Sequence, residues 1–229
     1  MDTTTTPDIG SSARLTQRAA RAAGGARLRT ALLACAIVAF VYYVGVNVYV
    51  PARWPGYSVL SRVVSELSAI DAPTRTLWVR LLIPYTILMV AFGWGVYIAA
   101  GERRALRAAG VLLIANAVLG AFWPPMHLRG AERTLTDTLH IVWSFVWLVV
   151  MLLVMGLAAS ALARRFRVYT LATLAIFVVF GALTSLDGAK LAADLPTPWI
   201  GLWERINMGA GMLWTAVLAG ALLWRPASR

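Results

Sequence analysis

The chain is predicted to be an all-α, polytopic membrane bundle of six transmembrane helices with both termini cytoplasmic. Three observations predict it. Six separate apolar stretches approach or exceed the length of about 20 residues that a helix needs to cross a bilayer. The 229 residues are 60% hydrophobic and only 14% charged, with a mean hydropathy of +0.72, far from the composition of soluble domains. The arginines fall in clusters beside alternate ends of the apolar stretches, which is how membrane topology is encoded.

The net charge of +11 would point to nucleic acid in a soluble protein, but here the cations flank apolar runs, so it reads as topology and nucleic acid is not an expected partner. One cysteine, Cys35, lies inside the first apolar run, so no intrachain disulfide can form.

The elements follow in order. Residues 1–29 are rich in Thr, Ser, Ala, Gly and Arg, and are expected to be a disordered basic cytoplasmic tail ahead of a transmembrane domain over 30–229. The first span is 30–50. No small-residue cleavage site follows it, since Val50-Pro51-Ala52-Arg53-Trp54 is a poor one, so it is expected to be retained. Further spans are expected at 77–100, 106–123, 139–163, 168–186 and 199–224. One set of connections carries Arg103, Arg104, Arg107, Arg164, Arg165 and Arg167 with Glu102 as its one acid, and both arginine-bearing termini join it. The other set mixes Arg53, Arg62, Arg75, Arg80, Arg129, Arg133, Lys190 and Arg205 with Glu66, Asp71, Glu132, Asp137, Asp187, Asp194 and Glu204. The positive-inside rule puts the first set in the cytoplasm of a plasma-membrane protein. The longer, more polar loops then face outward, and function concentrates on such loops.

The first outer loop repeats apolar residues at helical spacing (Val59, Leu60, Val63, Val64, Leu67, Ile70) beside a stripe of Ser58, Ser61, Ser65 and Ser68. The spacing predicts an interfacial helix near 57–70, with Arg62 and Glu66 four apart and able to pair, and either a solvated serine face or Ser65 or Glu66 turned inward over the bundle. In the second loop the diproline Pro124-Pro125 stiffens the approach to His127. Thr134 and Asp137 have N-cap spacing at the start of the fourth span, and Asp137 and His140, three apart, share a helical face. Asp137 can orient His140 as a general base, or His127, His140 and Asp137 can form three ligands to a divalent metal such as zinc. Asp187 opposes the dipole at a helix C-terminus, and Lys190 is the nearest compensating cation. Glu204, Arg205 and Asn207 lie inside the last apolar stretch, where ionisable groups are costly unless paired, so Glu204 is expected to face inward. Gly93, Gly95, Gly209 and Gly211 offer small residues for close helix contact.

The segments Val64-Ser65-Glu66-Leu67-Ser68, Pro124-Pro125-Met126-His127, Thr136-Asp137-Thr138-Leu139-His140 and Gly201-Leu202-Trp203-Glu204-Arg205 resemble a family of small bacterial six-span membrane proteins. That family is catalogued as domain of unknown function number 998. The resemblance covers nearly everything after the tail and implies a helical membrane fold with no assigned activity. A looser likeness is to membrane-embedded metal hydrolases of the alkaline ceramidase and adiponectin-receptor kind. This chain departs from them in having six spans, not seven, and no paired His-x-x-x-His.

Two functions are therefore expected. One is a structural or lipid-binding role, with the bilayer and its anionic head groups as partners of the outer arginines. The alternative is a membrane hydrolase acting on a lipid-like ester or amide. There Ser65, Glu66, Asp137, His140 and Glu204 would carry the chemistry, with a metal at His127, His140 and Asp137.

Overall fold

The computed structural model describes residues 9–193 and 195–224, so Asp194 lies outside the described residues. Among them are six α-helices: α1 Ile9–Tyr49, α2 Arg75–Ala99, α3 Arg104–Ala121, α4 Leu135–Ala161, α5 Arg164–Ala192 and α6 Ile200–Leu223. Each contributes a segment long and apolar enough to cross a membrane. The protein is an integral, multi-pass membrane protein. In such an environment a backbone must satisfy its own hydrogen bonds, which helices do.

Each helix packs on its neighbour in sequence, and α6 returns to lie against α1, so the six close into a ring. Antiparallel succession puts the three longer connections (50–74, 122–134 and 193–199) at one end, the loop end, and the short turns at the other. The interior is filled by Leu33, Phe92, Leu113, Val154, Leu218 and Trp214. Trp214 is fully buried, and its indole N–H donates to Thr170 Oγ1 at 2.9 Å, which is how a buried tryptophan avoids an unpaired donor. Outward-facing Val41, Ile87, Phe145 and Val178 are exposed, as a lipid-facing surface requires.

Glycine sets the closest helix contacts. A Cβ on Gly110 of α3 would lie 2.7 Å from Tyr97 N of α2, and one on Gly95 of α2 would lie 2.9 Å from Leu32 of α1. A Cβ on Gly211 of α6 would lie 2.8 Å from the Phe177 ring of α5, whereas one on Gly209 meets nothing within 4 Å. Gly93, Gly95 and Gly211 thus serve close packing as expected; Gly209 does not.

Two expectations are corrected. Helix α1 begins at Ile9, so residues 9–29 are helical turns continuous with the first span, while 1–8 lie outside the described residues. Alanine, arginine and leucine favour helix strongly enough to extend a nucleated one toward the N-terminus. The interfacial helix near 57–70 does not form: that segment holds only a short 3-10 turn, Val64–Ser68. Its carbonyls are claimed by α6 instead. Leu60 O accepts from Gly201 N at 2.9 Å and Leu202 N at 3.2 Å, and Val59 O and Arg62 O accept from Arg205. Serine side chains compete locally as well, as Ser68 Oγ donating to Ser65 O shows.

Candidate functional site

The polar side chains of the loop end fall into three linked groups. The first joins the 50–74 loop to α6. Gly201 has no side chain, so two carbonyls approach it closely: a Cβ there would lie 2.2 Å from Arg62 O and 2.6 Å from Val59 O. One turn on, Arg205 uses Nη1 to donate to Val59 O at 2.8 Å and Arg62 O at 3.1 Å, and Nη2 to donate to Tyr57 Oη at 2.9 Å. Tyr57 in turn donates to Val63 O at 2.8 Å, and burial pushes its phenol up to about 12. Glu204 faces inward as its cost predicted, accepting from Val64 N and, at 3.4 Å, from Ser65 Oγ. Its carboxylate thus caps the N-terminus of the 3-10 turn that begins at Val64, and the guanidinium beside it gathers the loop's carbonyls.

The second group centres on Glu66, whose side chain is 0% exposed. Arg129 Nε lies 3.7 Å from its Oε1 and Arg62 Nη1 4.0 Å away, so the expected Arg62–Glu66 pair exists, off an α-helix. Neither carboxylate oxygen has a hydrogen-bond partner, nor does Arg129 Nε. The rest of Arg129 is used, Nη2 donating to Ser61 O at 3.1 Å and Thr197 Oγ1 at 3.0 Å. Burial raises the Glu66 carboxyl above the ordinary carboxylate range, and the two arginines only partly oppose that. Ser65, Glu66 and Glu204 therefore meet at one junction of the loop end.

The third group is the entrance to α4. Thr134 and Asp137 form the capping box their spacing predicted. Asp137 also accepts from His127 N at 2.8 Å and from His127 Nδ1 at 2.8 Å. Besides the Arg129 contacts, a parallel bridge ties the 122–134 loop to the first loop, with Ile70 N donating to Met126 O at 2.8 Å. His127 Nε2 has no hydrogen-bond partner among the described residues.

His140 does something else. Pro124 O, 2.7 Å from Nδ1, can only accept, so Nδ1 carries the proton. The indole N–H of Trp123, 3.4 Å from Nε2, then has that nitrogen as its acceptor. Both ring nitrogens are occupied, so Asp137 does not orient His140; it orients His127. Among the described residues no three His, Cys, Asp or Glu side chains are placed to hold a metal ion, and the expected His127–His140–Asp137 ligand set does not assemble. A spacing of three puts Asp137 and His140 on one helical face, but the diproline loop lies over that face and separates them.

Asp187 and Lys190 pair at 2.8 Å as expected, but inside α5, which runs past the expected end at 186 to Ala192. Sequence reasoning missed Tyr57, Arg129 and Gly201 as organising residues. A glycine one helical turn ahead of a Glu-Arg pair inside an apolar stretch was the available signal for the third.

A cleft of about 330 Å³ opens between α1 and α6 on the loop-end half of the bundle. Comparison with known proteins gives one family match: the family described as Protein of unknown function (DUF998) matches residues 36–221. No curated protein and no solved structure matches the chain.

Proposed function

We propose, for a chain that belongs to the DUF998 family, that this integral membrane protein binds lipid, its loop end holding anionic head groups at a cationic rim. One observation carries the proposal. Glu66 at 0% and Asp137 at 5% exposure, and Glu204 bonded to Val64 N, are turned inward, while Arg53, Arg80 and Arg133 remain exposed along with the acids Asp71 and Glu132, with Arg133 3.6 Å from Asp137. Taking these acids inside leaves the exposed rim of that end richer in arginine than in acid. Each arginine near an anionic surface is worth about 1 kcal/mol. The arginine partition among the connections supports placing this end on the outer side of a plasma membrane, with the termini in the cytoplasm.

The test is native mass spectrometry of the detergent-purified protein with added phosphatidylglycerol or phosphatidylcholine of matched chains. Retention of phosphatidylglycerol should exceed that of phosphatidylcholine, and the preference should fall in an Arg53→Gln/Arg80→Gln variant. Equal retention of the two lipids would refute the proposal.

A second reading has one observation in its favour. Asp137 fixes His127 Nδ1 as donor, leaving Nε2 as an unpartnered base, the arrangement that a general-base hydrolase of lipid-like esters or amides needs. His127→Ala would then abolish turnover of such esters in a protein that still folds. Turnover equal to wild type would remove the hydrolase alternative.

A further inference from the structure

The cleft between α1 and α6 meets the clamp that holds the loop end together only at Val59 and Arg205, and the rest of its composition says what it can accept. Its walls are Val44 and Val48 from α1 and Met208 and Met212 from α6, with Gly209 among its lining residues. All five lie in membrane-spanning segments, and Val48 is 70% exposed, so the cleft opens sideways toward lipid rather than water. Only hydrocarbon is abundant there. From Phe40 to Val48 the α1 wall runs eight residues, about 12 Å at 1.5 Å per residue. That is most of one leaflet of a hydrocarbon core roughly 30 Å thick. Methionine side chains adapt to irregular apolar occupants. The volume of about 330 Å³ falls at the lower end of small-molecule sites, which run from roughly 300 to 1,000 Å³.

The mouth of the cleft is polar. Asn47, Val59 and Arg205 line its loop end. Arg53 follows Val48 by five residues, with its guanidinium 4.6 Å from the Tyr49 ring, and Arg62 follows Val59 by three, 5.2 Å from the Trp54 ring. Of the acids nearest in the chain to this mouth, Glu204 is bonded inward to Val64 N. Buried Glu66 is shared by two arginines, Arg129 at 3.7 Å and Arg62 at 4.0 Å, so it offsets only part of their charge. Arg53 forms no ion pair among the described residues. An apolar slot one leaflet deep beneath a cationic lip matches one occupant. We infer that the α1–α6 cleft seats one acyl chain of an anionic phospholipid whose phosphate lies at Arg53 and Arg62. The inference rests on the head-group proposal above and adds to it a specific chain site.

Gly209→Leu tests it, because a side chain at that position meets open space and would enter the cleft it lines without displacing packed atoms. Gly156→Leu on α4 is the control, open in the same way but far from the cleft. The readout is the number of phosphatidylglycerol molecules retained in native mass spectra, beside the melting temperature of each variant. Wild type and Gly156→Leu should retain one tightly held molecule that Gly209→Leu loses at an unchanged melting temperature. Arg53→Gln should weaken that molecule about fivefold, the worth of one arginine near an anionic surface. If Gly209→Leu retains it like wild type, the chain site is wrong even where the preference for phosphatidylglycerol persists. Loss of lipid from Gly156→Leu as well would also overturn it. Absence of any preference for phosphatidylglycerol in wild type would take down the head-group proposal with it.

Discussion

Alanine at Gly201 tests how the loop end is held. The added Cβ would sit 2.2 Å from Arg62 O and 2.6 Å from Val59 O, and neither is a flexible side chain that can swing aside. To restore ordinary contact the backbone of residues 59–62 must retreat by more than 1 Å, on the order of the gap to a van der Waals separation of ~3.5 Å. That retreat opens the two bonds into Leu60 O and the two from Arg205 Nη1 to Val59 O and Arg62 O. Neutral bonds are worth about 1 kcal/mol each and charged ones about 1.5–3. Allowing for partial relaxation, the expected cost is about 3–5 kcal/mol. At roughly 2–4 °C per kcal/mol for a chain of this size, the melting temperature should fall on the order of 10 °C. The assay is thermal unfolding in one detergent at one scan rate, with Gly209→Ala as the internal comparison. Gly209 is on the same helix with open space around it, so alanine there should stabilise by about 0.5–1 kcal/mol through helix propensity alone. Equal melting temperatures for Gly201→Ala and wild type, or equal losses for the two variants, would refute the docking of the loop on α6.

Further outcomes follow from the same geometry. Thr134→Ala removes the side-chain half of the α4 capping box and should cost about 1 kcal/mol, read as a drop of a few degrees in the same assay. Burial raises the Glu66 carboxyl, so the folded state holds that proton more tightly than the unfolded chain. Its contribution to stability is therefore present at low pH and is lost as pH rises from the unfolded value through the folded one. Glu66→Gln should remove this component, so the difference in melting temperature between variant and wild type should grow in the variant's favour from pH 4 to pH 8. A difference that is flat with pH would show that the two arginines fully compensate the burial. His127→Ala and Gly209→Leu report on ester turnover and lipid retention respectively, as set out above.

The candidate site was legible in part. Glu204 could be placed inward from sequence because an acid in an apolar stretch is costly wherever it is not paired. The Thr134–Asp137 cap and the Asp187–Lys190 pair could be read because both are local, set by helical spacing and the dipole. The partners of Glu66 were half visible: Arg62 by spacing, Arg129 not at all, since it arrives from a loop 63 residues away in sequence. The 57–70 segment was misread because helical periodicity describes only which residues are apolar. It does not say whether the segment's carbonyls will close on their own amides or on those of another helix.

What the sequence by itself determined was the class of protein and the position of its polar groups along the membrane axis. Both depend on runs of apolar residues and the charges at their ends, which a bilayer reads one segment at a time. What only the tertiary structure decided was which polar group meets which. Closing the ring with α6 against α1 brought Glu204 and Arg205 under the first loop, and the diproline turned His127, not His140, onto Asp137. Those pairings depend on helix order and on the path of loops whose ends lie far apart in the chain, and no local spacing encodes either.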